Sequence, residues 1–194
     1  VVESNTVTIK AGERVAKFRM KGIYENIDKT DSLSVTFNLL AKDENVWDLY
    51  GTRTRVQMQK ACPFELSTFE GYCLLTSSFF SAYMTNTEHR LLQAERDKTE
   101  DNTIILHDFF YKNYDLKIKY DPSDPLKPFV EFDDQIIGST AEAFGTIYGN
   151  GKLMCTQPVA YDSYYNVCQK FVFLYSTIYV VGKGTVGTYV NILE

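Results

Sequence analysis

The stretch "SLSVTFNLL", residues 32–40, alternates apolar and polar side chains. Leu33, Val35 and Phe37 are apolar, and serine, threonine and asparagine residues separate them. Because successive side chains of a β-strand point to opposite faces of the sheet, this pattern predicts a strand with one buried face and one solvated face. Clean alternation of this kind is typical of antiparallel sheets.

Similar strand patterns recur along the chain and indicate an all-β protein. "TRVQMQ" (54–59) and "DLKIKY" (115–120) repeat the alternation. "CLLTSSFFSAYM" (73–84) and "KFVFLYSTIYVV" (170–181) are more apolar, which predicts central strands covered on both faces. We therefore predict an all-β fold, either an antiparallel barrel or a sandwich.

The chain also contains two stretches that resemble each other at an offset of about ninety residues. Cys155 follows Cys62 by 93 positions and Cys168 follows Cys73 by 95 positions (155 − 62 and 168 − 73). We interpret this as an internal duplication of a disulfide-stapled meander. The resulting domain prediction consists of a first β repeat over 1–86, a connector over 87–102, and a second β repeat over 103–194 that shares one core with the first. The connector lacks alternation and is rich in helix formers, which predicts a short helix or a charged loop.

Charge and hydropathy restrict the partners. The formal net charge is −5, and the basic residues are dispersed rather than gathered in a stripe, so we predict no binding to nucleic acid. No run of about 18 apolar residues is present, so we predict no membrane span. We therefore predict that the partners are other protein subunits, either copies of this chain or a different protein, or a small apolar ligand.

The four cysteines, Cys62, Cys73, Cys155 and Cys168, favour disulfides over a metal site or a redox centre. Their spacings of eleven and thirteen positions (73 − 62 and 168 − 155) differ from those of zinc ligands, and a C-x-x-C motif is absent. Three connectivities are possible, and the local one pairs Cys62 with Cys73 and Cys155 with Cys168. Disulfides persist in oxidising compartments, so we predict a secreted, extracellular protein without a metal or a cofactor.

Candidate catalytic residues are few. His107 and Asp108 are adjacent in "ILHDFF", and a histidine with a carboxylate neighbour can act as an acid or a base. However, adjacent strand residues face opposite ways, and a structural role is commoner for such a histidine. "FDDQ" places Asp133 and Asp134 on a predicted strand, with one carboxylate pointing inward. A further acidic set in "KDENVWD" (42–48) lacks the spacing of a calcium loop and indicates a solvated loop.

The second half of the chain resembles the dirigent and allene-oxide-cyclase-like β-barrel proteins. The resemblance rests on "ILHDFFY", "FVEFDDQIIGSTAEAFGTIYGNGKLMC" and "CQKFVFLYSTIYVVG", within residues 104–182, although the usual "GGTG" element is missing. It implies an eight-stranded type of barrel with an apolar cavity, often assembled as a trimer. His107, Asp108 and Asp134 would then lie at the cavity mouth.

The sequence leaves open whether the protein is an enzyme and favours a non-enzymatic role, because it carries no nucleophile motif or phosphate-binding loop. We predict a secreted, disulfide-bonded β protein that acts as a binding or self-assembly module. The alternative is a dirigent/cyclase-like barrel that binds a small apolar ligand or a reactive intermediate.

Overall fold

The computed structural model describes residues 6–28, 32–40, 51–125 and 127–194. The chain divides into two compact units, Val1–Lys60 and Ala61–Glu194. The boundary therefore lies 26 residues before the predicted end of the first repeat at residue 86 (86 − 60). The acidic set predicted as a loop at 42–48 lies outside the described residues.

The described part of the first unit contains a short 3-10 helix at Tyr24–Asn26 and an antiparallel hairpin. Strand β1 (Ser32–Asn38) pairs with strand β2 (Arg53–Gln59), with Val35 opposite Val56. Strand β1 confirms the strand predicted at the start of the sequence analysis, but its apolar face is not buried: Leu33 is 41% exposed, and Val35 and Phe37 are half-buried.

The described part of the second unit contains ten strands and two short helices. The strands are β3 (Gly71–Ser77), β4 (His89–Arg96), β5 (Thr103–Leu106), β6 (Leu116–Asp121), β7 (Phe129–Glu131), β8 (Gln135–Ser139), β9 (Lys152–Thr156), β10 (Ser163–Asn166), β11 (Phe171–Val180) and β12 (Gly184–Leu193). The helices are α1 (Ser78–Tyr83) and α2 (Thr140–Phe144), and a 3-10 turn spans Leu66–Phe69. None of the described helices has the length and apolarity needed to cross a membrane.

Eight strands form a closed antiparallel barrel, which confirms the predicted fold class. Their order is β10, β7, β6, β5, β4, β3, β12 and β11, and β11 closes the barrel by pairing with β10. The long strand β11 pairs along one edge with β10 near its start and with β9 near its end. The β8–β9 hairpin therefore extends the sheet beyond the closed barrel. Apolar side chains from all eight strands fill the barrel interior, among them Leu75, Ile104, Ile118 and Leu174.

Strand β4 corrects the prediction of a helix or charged loop over 87–102. His89–Arg96 is paired to β3 on one edge and to β5 on the other. Leu92 and Ala94 point into the core, while Leu91 and Gln93 face outward. Backbone pairing with β3 over His89–Ala94 and with β5 over Ala94–Arg96 outweighs the modest helix propensity of these residues.

Two aromatic groups close the ends of the barrel. At one end, the predicted central strand over 73–84 stops at Ser77, whose hydroxyl accepts the Phe79 N–H and caps α1. Helix α1 places Phe79 against Phe110 of the loop after β5, with ring centroids 4.7 Å apart. At the other end lies a segment that we call the lid, residues 61–70, which precedes β3.

Candidate functional site

The structure gives His107 two carboxylate neighbours, neither of which is Asp108. Its Nδ1 lies 3.0 Å from Asp115 Oδ2, and its Nε2 lies 3.5 Å from Glu95 Oε2. His107 directly follows β5, and its backbone N–H donates to Gln93 O on β4. The ring therefore bridges the end of β4 to the start of β6 across a partly exposed surface.

Asp108 shapes the loop that follows His107. Its backbone adopts a left-handed conformation with a φ of 54°, and its carboxylate accepts the Asn113 N–H. Its own N–H donates to Asp115 Oδ1 at 3.0 Å. These contacts define a turn rather than the predicted strand, and the carboxylate beside the His107 Nδ1 is that of Asp115.

Asp134 lies in the connection between β7 and β8, not on a strand as predicted. Hydrogen bonds from the side chains of Thr156 and, secondly, Tyr179 lower the pKa of Asp134. The Tyr179 hydroxyl donates to Asp134 Oδ2 at 2.6 Å. Asp134 thus has its own partners on β9 and β11, and it shares none of the contacts described for His107 and Asp108.

The cysteines correct the predicted local pairing. Cys62 in the lid is bridged to Cys168 in the β10–β11 turn, 106 residues later, with Cα atoms 5.3 Å apart. Cys73 and Cys155 are free thiols. Their predicted partners, Cys62 and Cys168, are bonded to each other. Cys73 and Cys155 point inward from β3 and β9, and β12 and β11 lie between those strands, so the two free thiols do not lie on neighbouring strands. The matched cysteines also lie in unlike elements, and the internal duplication stays a prediction.

Burial makes both free thiols poor nucleophiles. Burial raises the pKa of Cys73 to about 11 and the pKa of Cys155 to about 12. A thiol must lose its proton to attack, so neither thiol is activated. In the part of the chain that the structure describes, no three His, Cys, Asp or Glu side chains are grouped so that they could hold a metal ion.

The most distinctive surface is the outside of five adjacent strands, β10, β11, β12, β3 and β4. We call this surface the apolar wall. Its members are outward-facing aromatic and aliphatic side chains: Tyr164, Phe171, Phe173, Tyr175, Val190, Ile192, Tyr72, Leu74 and Leu91, with Tyr161 stacked on Tyr175.

Cross-strand pairs join the apolar side chains within β10, β11 and β12 and within β3 and β4, whereas between these two groups Ile192 lies opposite Thr76. Phe173 lies opposite Tyr164 on β10 and opposite Ile192 on β12. Further along, Leu74 lies opposite Leu91. The rings of Tyr164 and Phe173 stack at 5.3 Å with planes 13° apart. Aromatic cross-strand pairs stabilise the sheet, but they leave ring edges in contact with solvent here.

The opposite side of the barrel is charged. Strand β6 alternates buried residues with exposed Lys117 and Lys119, and Lys119 faces Glu131 across the β6–β7 pair. A groove of about 470 Å³ lies where β7 leaves β6 and β8 begins, and it is lined mainly by polar side chains, including Gln135 and Gln157. The barrel exterior therefore has one charged side and one apolar side.

A family model matches residues 49–194, three quarters of the chain. The chain belongs to the family Domain of unknown function (DUF4984). The DUF4984 match includes the entire barrel and strand β2. No curated protein and no solved structure matches the chain.

Sequence reasoning missed the apolar wall of this DUF4984 member, although a signal for it was present. The run at 170–181 is apolar at nearly every position, which predicted a strand covered on both faces. In the structure, Val172 and Leu174 face the core, while Phe173 and Tyr175 face outward and are half-buried. The outward side of β11 therefore has the apolar composition of a buried surface, although it lies on the exterior of the barrel.

Proposed function

We propose that this protein is a secreted, non-enzymatic self-assembly module, in which the apolar wall of one copy docks against the apolar wall of a second copy. The observation that supports this proposal is the exposed aromatic and aliphatic surface on the outside of β11 and its neighbours. Exposed apolar patches of this kind mark interaction sites, because leaving them in water is unfavourable.

The size of the apolar wall suits an interface. Tyr72 and Leu91 are 77% and 66% exposed. The three exposed tyrosines of the wall present on the order of 350 Å² to solvent, taking ~200 Å² for a whole aromatic side chain. The leucines and the half-buried rings bring the wall toward the ~800 Å² per partner that a standard interface buries.

The chemistry of the apolar wall favours a second copy of the chain over a different protein as the partner. The members of the apolar wall are uncharged, although Glu194 lies opposite Leu74 and Glu95 faces outward on β4, so the contact that the wall offers is mainly apolar. A two-fold symmetric contact places the same patch on both subunits, which suits an uncharged, self-similar surface. Sheets that pack face to face do so through interdigitating apolar side chains, as two such walls would.

The remaining features agree with a non-enzymatic, extracellular role. The side chains of His107, Asp108 and Asp134 have separate hydrogen-bond partners, and the free thiols have raised pKa values. The Cys62–Cys168 disulfide suits an oxidising compartment.

The alternative of a dirigent/cyclase-like barrel that binds a small apolar ligand has weaker support. The barrel core is occupied by packed side chains. The larger described groove is polar, and a second pocket has a volume of about 160 Å³, which is below the ~300 Å³ of ordinary ligand sites.

The experiment is the mass of the chain in solution across concentrations, measured by sedimentation equilibrium. We expect a dimer of the 22.3 kDa chain, and we expect Leu91→Glu and Tyr164→Glu to shift it to monomer. Both sites are exposed, so the variants should fold. The control is Ile147→Glu, an equally exposed apolar residue outside the apolar wall, which should stay dimeric. A wild-type chain that remains monomeric at 100-micromolar concentration and above would overturn the proposal.

A further inference from the structure

The lid covers one end of the barrel and is tied down covalently. Its Cys62 is bonded to Cys168 in the β10–β11 turn, and its other end continues into β3. Phe69 packs on Tyr120 with ring centroids 4.8 Å apart, and Phe64 packs on Tyr165 at 5.4 Å. Two anchors, one covalent and one aromatic, therefore hold the lid against the interior side chains of β6 and β10.

A pocket of about 160 Å³ lies beside the lid at this end of the barrel. Its floor consists of buried apolar groups that point inward from four different strands: Leu106, Tyr120, Val172 and Leu193. Phe69 of the lid and the half-buried thiol of Cys73 complete the apolar lining. The rest of the lining consists of Tyr72 and the polar residues Thr68, Glu70, Lys170 and Glu194.

We propose that this end pocket binds a small uncharged ligand, or part of a ligand, of the size of one benzene ring. A cavity of ~150 Å³ lined by aliphatic and aromatic side chains is large enough to bind benzene. A charged group at the floor would lose its hydration without meeting an opposite charge, because the charged lining residues Glu70, Lys170 and Glu194 are exposed and lie at the rim. Glu70 is already engaged by Arg96 at 2.6 Å.

The floor of the end pocket is distinct from the surface used in the self-association proposed above, because the floor is built from inward-facing side chains and the apolar wall from outward-facing ones. Tyr72 belongs to both, since it lines the rim of the pocket and is a member of the apolar wall. The tests below therefore leave Tyr72 unchanged, and they report ligand binding at the floor whether or not the chain dimerises.

The first test measures the chemical unfolding of the wild-type chain with and without benzene. A ligand that binds only the folded state raises the folded-to-unfolded ratio about elevenfold at ten times its Kd. Cys73→Met places a longer, flexible side chain in the pocket and should reduce this gain to less than twofold. Leu74→Met is the matched control, because it introduces the same residue at the next position, on the outer face, and should respond like wild type.

A second readout needs no variant. Benzene in the end pocket should slow alkylation of Cys73 by iodoacetamide about elevenfold at ten times the Kd, because the pocket and the thiol share a wall. Cys155, which is fully buried in β9, reports global opening within the same sample. The proposal is overturned if benzene leaves both the unfolding curve and the Cys73 rate of the wild type unchanged, or if Cys73→Met gains as much stability from benzene as Leu74→Met.

Discussion

The side-chain amide of Gln135 makes the two hydrogen bonds to the Lys117 backbone that a neighbouring strand would otherwise make. Its Oε1 accepts the Lys117 N–H and its Nε2 donates to the Lys117 carbonyl, both at 2.8 Å. Gln157 does the same for β7, accepting the Phe132 N–H and donating to the Val130 carbonyl. Two glutamines thus complete backbone hydrogen bonding where the barrel wall divides between β7 and β8.

We predict that Gln135→Ala destabilises the barrel by about 1–2 kcal/mol, because it removes two hydrogen bonds to the Lys117 backbone that water at this exposed site replaces only in part. The free energy of unfolding in urea measures the effect. Gln93→Ala, at an exposed position on the outer face of β4, is the control and should change stability by less than about 0.5 kcal/mol. Equal effects at the two sites would contradict the strand-like role of Gln135.

The buried carboxylate of Asp97 should make stability depend on acidity. Lys117 donates to one of its oxygens, and the Thr99 N–H and hydroxyl donate to the other. These bonds, that of Lys117 first, hold the pKa of Asp97 well below its usual range. The unfolded carboxyl binds a proton near pH 4 and the folded one only at lower pH, so this stabilisation is present above about pH 4 and is lost as the pH falls.

We therefore expect Asp97→Asn to be less stable than wild type at pH 7, with a difference that shrinks on acidification toward pH 2. Urea unfolding at a series of pH values measures it. Asp101→Asn, an exposed site in the same β4–β5 connection, is the matched control. A stability difference that stays constant from pH 7 to pH 2 would argue against the Asp97–Lys117 interaction as its cause.

The disulfide should contribute a large part of the stability. A bridge that closes a loop of about 100 residues stabilises by about 4.7 kcal/mol in the chain-entropy model. We expect the double variant Cys62→Ser/Cys168→Ser to lose stability of this order, measured by thermal and chemical unfolding. Peptide mapping without reductant should recover the Cys62–Cys168 pair and two free thiols per native chain. A Cys62–Cys73 peptide would instead restore the local pairing that the sequence predicted.

A buried polar network around Asn191 should be as sensitive as the apolar core. Asn191 accepts the Ser77 hydroxyl at 2.6 Å and donates to Leu174 O and Ser176 Oγ. We expect Asn191→Ala to cost about 3 kcal/mol in unfolding free energy, because it leaves several buried polar groups without partners.

The control for this prediction is Thr188→Ala on the same strand. Thr188 shares a hydrogen bond of 2.8 Å with Thr177, but the pair is exposed to water. We expect a loss below about 1 kcal/mol there, because water can replace the missing partner. A loss at Thr188 that matches the loss at Asn191 would show that burial is not the deciding factor.

Part of the candidate sites could be found from the sequence and part could not. Cys62 and Cys168 were recognised as disulfide cysteines from composition and spacing, but their mutual pairing depends on where the lid and the β10–β11 turn meet. His107 was recognised as a possible acid–base group, yet its partner Asp115 lies eight residues away, across a loop whose course the residue pattern does not reveal.

The alternation of apolar and polar residues was sufficient to predict a strand wherever one strand face is buried and the other is solvated. Strand β6 shows this, since alternating Leu116, Ile118 and Tyr120 could only be buried together in an extended chain. The all-β antiparallel class follows from such strands. The pairing partners do not: β4 has a helix-forming composition and becomes a strand because β3 and β5 each offer it a ladder of hydrogen bonds. Barrel closure, the disulfide partner and the exposure of the outer side of β11 all depend on contacts between residues distant in the chain, which are settled only when the sheet closes.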